Sequence, residues 1–142
     1  MSNTINVVNP EQAQRKIMVV LEQLVADYSS FQEEIPIINQ EFPADEESFS
    51  VVEEIELLTT DLRGYGNQIK YSGAIQDLHK TLTTLKNLPI LETPSLFKLY
   101  FSNLSLFPKT KQYLQRLDYL KFLLIDWLEQ AMKTSARDIK AS

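Results

Sequence analysis

The sequence predicts an all-α fold, a four- to five-helix, mostly antiparallel bundle, and three observations predict it. Three separate segments repeat apolar residues at spacings of 4, 3, 4, 3, 4, the pattern that lines one face of a helix. A cap residue followed by proline, the usual opening of a helix, occurs at Asn9-Pro10 and again at Thr93-Pro94. The connections between the segments are short, which favours antiparallel neighbours. Heptad spacing further implies shallow crossing angles of about 20°.

Residues 1–8 read as a flexible N-terminal tail, 9–134 as one bundle domain and 135–142 as a flexible C-terminal tail. In the first helix Asn9 can cap and Gln12 sits at the N3 position of a capping box. Its stripe is Ile17, Leu21, Leu24, Tyr28, Phe31 and Ile35. Pro36 is expected to end it, because proline lacks a donor and its ring clashes with the preceding turn. Residues 36–47 then form a connection in which Ile37, Ile38 and Phe42 fold back over the core.

The second stripe is Val51, Ile55, Leu58, Leu62, Tyr65 and Ile69, with Asp45, Glu46 and Glu47 before its start, where carboxylates favour the helix dipole. Gly64 and Gly66 interrupt it, and Gly73 follows. Each glycine inside a helix costs about 1 kcal/mol relative to alanine. The next apolar set, Ile75, Leu78, Leu82 and Leu85, is out of phase with the stripe. A break or turn within 63–73 is therefore expected, with one bent helix as the alternative.

Pro89 stops the third helix. Residues 94–107 are apolar on nearly all sides and read as a short buried helix passing into an extended stretch before Pro108. The last helix spans 109–134, with Tyr113, Leu117, Leu120, Leu124, Trp127 and Ala131 as its stripe. Leu114, Leu123, Ile125, Leu128 and Met132 widen that apolar arc, while Tyr119 and Phe122 fall well off it.

The 142 residues hold 44% apolar and 23% charged side chains, ordinary values for a chain that buries a core without staples. No cysteine is present, which removes disulfides, thiolate nucleophiles and thiolate metal sites and fits a reducing cytoplasm. No secretory signal and no membrane-spanning run is visible, so the chain reads as cytoplasmic. Residues 1–62 carry 13 acids and 2 bases, net −11, whereas residues 63–142 carry 6 acids and 12 bases, net +6, together −5. An acidic helix pair packed beside a basic set accounts for this asymmetry.

The single histidine, His79, cannot supply a di-iron bundle or a two-histidine zinc site. No Gly-x-Ser-x-Gly elbow accompanies it, and Gly64-Tyr65-Gly66 lacks the fingerprint of a phosphate loop. The acids at 45–56 suit a solvated helix start better than a cation site. No cofactor or metal is expected, and no enzyme activity.

Two features remain. Tyr119 and Phe122 lie off the core arc, and exposed aromatics are enriched at protein interfaces. Lys109, Lys111, Arg116 and Lys121 are interleaved with Tyr113, Tyr119 and Phe122, a mixture that can hold single-stranded nucleic acid by charge and stacking or meet an acidic protein. The leading expectation is a non-enzymatic protein–protein interaction module (adaptor, regulatory or assembly subunit), with an unidentified protein partner or with self-association. Tyr119, Phe122, Lys109, Lys111, Arg116 and Lys121 are its partner-binding candidates. The alternatives are a nucleoprotein subunit, which the net acidity disfavours, and a bundle binding a small apolar ligand.

Overall fold

The computed structural model describes residues 10–43, 50–103 and 105–141 and shows five helices and, among these residues, no strand. They are α1 (Pro10–Glu41), α2 (Val51–Ser72), α3 (Leu78–Lys86), α4 (Pro94–Tyr100) and α5 (Pro108–Ala141). The expected tail at 1–8, the cap Asn9 and the acids Asp45, Glu46 and Glu47 lie outside the described residues.

The three heptad stripes form the centre of the bundle. α1 packs most extensively on α5, and α2 covers the groove between them. Contacts fix the directions: Glu34 meets Thr110 while Asp27 meets Arg116, so α1 and α5 are antiparallel. Tyr28 meets Glu56 while Gln14 meets the Ile69 carbonyl, so α1 and α2 are antiparallel as well. It follows that α2 and α5 run the same way. α3 and α4 are short and pack on α5.

Ile17, Leu24, Phe31 and Ile38 are each completely buried and recur every seven residues on α1. They meet Ile55, Leu62 and Ile69 of α2 and Leu117, Leu120 and Leu124 of α5 in one core. Burying each such side chain contributes about 1.5–3 kcal/mol. One polar group sits among them. Tyr113 is fully buried, its ring stacked on Phe31 at 5.1 Å and 4°. The Thr59 hydroxyl donates its only proton to the Ile55 carbonyl at 2.8 Å, so the Tyr113 hydroxyl must be the donor to Thr59 Oγ1 at 3.0 Å. Burial pushes the Tyr113 phenol above its ordinary value.

Local expectations are corrected at Pro36, in residues 94–107 and at the end of α5. Pro36 does not end α1, which continues to Glu41. Ile38 explains why: it extends the seven-residue series by one step and is completely buried, and that burial offsets the missing proline donor. Pro36 itself and Ile37 stay exposed, and Phe42 packs on Phe107 with ring centroids 6.0 Å apart.

The turn expected within 63–73 is present at the far end of that range, while Gly64 and Gly66 lie inside a continuous α2 and do not break it. The helix ends at Gly73, whose left-handed φ of 65° lets its N–H reach the Ile69 carbonyl. At Gly66 the reason for glycine is contact, since an added Cβ would lie 2.9 Å from Leu21 Cδ2. At Gly64 a Cβ would meet nothing within 4 Å. The turn into α3 follows at once, capped by Asp77, which accepts from the Lys80 N–H at 3.0 Å.

Residues 94–107 hold the expected short helix, α4, but it is only partly buried and turns take the place of the extended stretch. Only Leu96 and Leu99 of α4 are buried, Phe97 and Phe101 are exposed, and turns and bends stand at 101–102 and 105–107. α5 also stays helical past Thr134, where the polar composition suggests a tail; Ala136, Arg137, Lys140 and Ala141 are strong helix formers.

Candidate contact surface

The N-terminus of α5 is anchored by α1. Glu34 accepts the backbone N–H groups of Lys109 at 3.0 Å and Thr110 at 2.7 Å, and the Thr110 hydroxyl at 2.7 Å. A carboxylate there satisfies orphan donors and complements the dipole. With α5 fixed in rotation, its buried arc faces α1, α2 and α3, and a second stripe faces outward. That stripe comprises Pro108, Gln112, Gln115, Tyr119 and Phe122, at spacings of 4, 3, 4, 3, and all five are exposed.

Tyr119 is 47% and Phe122 63% exposed, with rings nearly parallel and centroids 6.4 Å apart. At the other end of the stripe the α4 aromatics come alongside. Phe97 and Phe101 are 51% and 62% exposed with centroids 4.5 Å apart, and Tyr100 meets Phe101 edge-on at 5.0 Å. An open cleft of about 770 Å³ runs between Tyr100–Asn103 and the first two turns of α5. Gln115 Nε2 donates to the Tyr100 hydroxyl across it at 2.8 Å. A shallower hollow of about 250 Å³ continues past Gln112 and Gln115 to Arg116 and Tyr119. Because Gln112 and Gln115 line both, the α4 aromatics and the Tyr119–Phe122 pair belong to one uninterrupted surface.

The four basic candidates do not share a face. Arg116 leans toward α1, where its Nε donates to Asp27 and its Nη1 to Gln23 at 2.8 Å. Lys121 leans to the opposite flank and donates to the Leu88 carbonyl at 2.6 Å. Nearby, backbone N–H groups of Ile90 and Glu92 hold the Glu92 carboxyl below its ordinary value. Desolvation pushes the Asp118 carboxyl up, reinforced by Glu92 and opposed by Lys121. Lys111 donates to the carbonyls of Ser102 and Asn103 at 2.8 and 2.6 Å, closing the turn before α5. Lys109 alone among the four has an exposed side chain. Three of the four cations therefore serve the fold. A phosphate chain would find no continuous basic track here.

A second groove lies between α1 and α2. Tyr28, Glu56, Thr60, Arg63, Gly64 and Asn67 line a space of about 400 Å³, and Arg63 and Asn67 also line an adjoining one of about 310 Å³ with Glu22 and Lys70. Tyr28 donates to both Glu56 oxygens at 2.8 and 2.9 Å, and this bond raises its phenol above the ordinary value. Two cations face two carboxylates in this groove, so it favours no ligand charge. His79 is exposed on α3. Among the described residues no three of His, Cys, Asp or Glu gather closely enough to hold a metal ion, and no helix is long and apolar enough to cross a membrane.

Sequence reasoning finds Tyr119 and Phe122 but misses Tyr100, Phe101, Gln112 and Gln115. The 4, 3, 4, 3 spacing from Pro108 to Phe122 was available as a signal for the α5 members. Only the packed position of α4 reveals the others. No protein-family model, curated protein or solved structure matches the chain.

Proposed function

We propose that the chain is a non-enzymatic protein–protein interaction module whose contact face is the outer side of α5 together with the aromatic end of α4. One observation carries this reading: the exposed Phe101 and Tyr119 line two clefts that share Gln112 and Gln115, and each has a second exposed aromatic, Phe97 or Phe122, beside it. Isolated exposed apolar residues are normal, whereas joined patches mark contact sites. The heptad-like spacing of the outer stripe suits a helix laid along it, anchored by side chains one turn apart. Lys111, Arg116 and Lys121 serve as struts of the bundle, and such a face would suit an adaptor, regulatory or assembly subunit.

The test is a Phe101→Ala/Phe122→Ala variant compared with Tyr71→Ala, which removes an exposed aromatic elsewhere (78% exposed on α2). Affinity capture with quantitative mass spectrometry should show proteins lost with the first variant and retained with the second. An identical captured set for both would remove the proposed face.

A further inference from the structure

Resting on the reading of α5's outer side as a docking face, we infer that the helix it accepts is α5 of a second copy, running antiparallel about a twofold axis.

The outer stripe is complementary to itself when reversed. Past Phe122 it continues to Asp126 and to the exposed Lys133, and Glu129 lies at its edge. Its first half is thus cationic at the edge (Lys111) and lined with glutamine, its middle is aromatic, and its second half carries Asp126 and Glu129 ahead of Lys133, which reversed pairing sets opposite the uncharged Pro108. Reversed pairing sets Tyr119 opposite Phe122 of the copy, Gln112 opposite Glu129 and Gln115 opposite Asp126, with Lys111 within a turn of Glu129. These groups have capacity to spare. Lys111 spends two of its three N–H donors on Ser102 and Asn103. Asp126 has no hydrogen bond or ion pair among the described residues, and Glu129 has only an exposed contact with Lys86 at 3.8 Å. The second half of the copy's helix also fills the cleft beside Tyr100 and Phe101. A parallel pairing would instead stack Asp126 on Asp126 and align the helix dipoles.

A twofold contact of this kind closes on itself, so association stops at two copies. From Pro108 to Lys133 the helix is about 38 Å long and about 10 Å wide, or roughly 400 Å² of face per copy. That is below the ~800 Å² per partner of standard interfaces even when the α4 aromatics are added. The dimer is therefore reversible.

The experiment is sedimentation equilibrium of the full chain from about 5 to about 500 µM, the range where reversible complexes dissociate. The expected result is a monomer passing to a dimer and no further. Phe122→Ala, at an exposed position that leaves the fold intact, should raise the dissociation constant about tenfold, and Tyr71→Ala should leave it unchanged. Because the chain has no cysteine, introduced thiols report orientation. Oxidised Gln112→Cys/Glu129→Cys should give a covalent dimer, and Gln112→Cys alone should not. A cross-link in the single variant overturns the antiparallel arrangement. A strict monomer throughout overturns the second copy; if Phe101→Ala/Phe122→Ala still abolishes capture of other proteins, the docking face stands without it.

Discussion

Gly64 and Gly66 sit two residues apart in the same helix, yet alanine should stabilise at the first and not at the second. Both positions are interior to α2, so each substitution relieves about the same backbone cost, about 1 kcal/mol. At Gly64 nothing lies within 4 Å of the new methyl group, and that gain is realised in full. At Gly66 the methyl would stand 2.9, 3.2 and 3.3 Å from Cδ2, Cδ1 and Cγ of Leu21. Three carbons of one side chain are too close, so a swing of a single methyl does not clear the contact. Leu21 is itself 4% exposed and has core neighbours behind it. Overpacking of this kind costs about 1–3 kcal/mol. Gly64→Ala should therefore stabilise by about 1 kcal/mol, and Gly66→Ala should fall about 1–3 kcal/mol below it. Urea denaturation monitored by circular dichroism measures both, and equal m-values would show that the unfolded state is not responsible. Adding Leu21→Ala to each variant completes a double-mutant cycle, in which coupling should appear at position 66 and vanish at 64. Equal stabilisation by both alanines would refute the close approach of α1 and α2. Destabilisation by both would refute the continuous helix.

Other outcomes follow from the same packing. Pro36→Ala restores an exposed helical N–H and should stabilise by about 1–3 kcal/mol, less the entropy that proline removes from the unfolded chain; a loss of stability in thermal melts would count against the helix running through this point. Glu34→Ala removes three hydrogen bonds at the start of α5 and should cost about 1–2 kcal/mol in denaturant titrations, with Glu34→Gln intermediate. The phenols of Tyr28 and Tyr113 are both raised above 10.0, by the Glu56 bond and by burial respectively. Their contribution is thus complete below pH 10 and is lost as pH climbs through the folded-state values. Alkaline unfolding should begin above pH 10 and proceed less steeply in Tyr113→Phe; a decline well below that pH would speak against it.

The bundle was legible because burial and period agree: Ile17, Leu24 and Phe31, or Leu117, Leu120 and Leu124, announce their face by spacing alone. Pro36 and the paired glycines misled for a common reason. Their costs are local and can be read from one residue, whereas the compensation lies in a partner, Ile38 in the core or Leu21 on the neighbouring helix. The contact surface divides in the same way. Tyr119 and Phe122 could be placed off the arc by counting. That Arg116 and Lys121 are claimed by Asp27 and by the Leu88 carbonyl depends on the register between helices, which no single segment encodes. Phe97 and Phe101 looked like core because nothing in a short apolar run shows which side meets solvent.

The anchoring of α5 by Glu34 joins residues some 75 positions apart, and the broadest helix contact in the protein links α1 with α5. As the chain leaves the ribosome, α1 therefore emerges with its apolar side still waiting for a partner made last among the described helices. Non-local closure of this sort slows folding relative to bundles built from sequential hairpins. A nascent α1–α2 pair has Phe31 without Tyr113 and Ile17, Leu24 and Ile38 without most of their cover. That interval is when the young chain is most open to chaperones and to mispairing with another copy of itself.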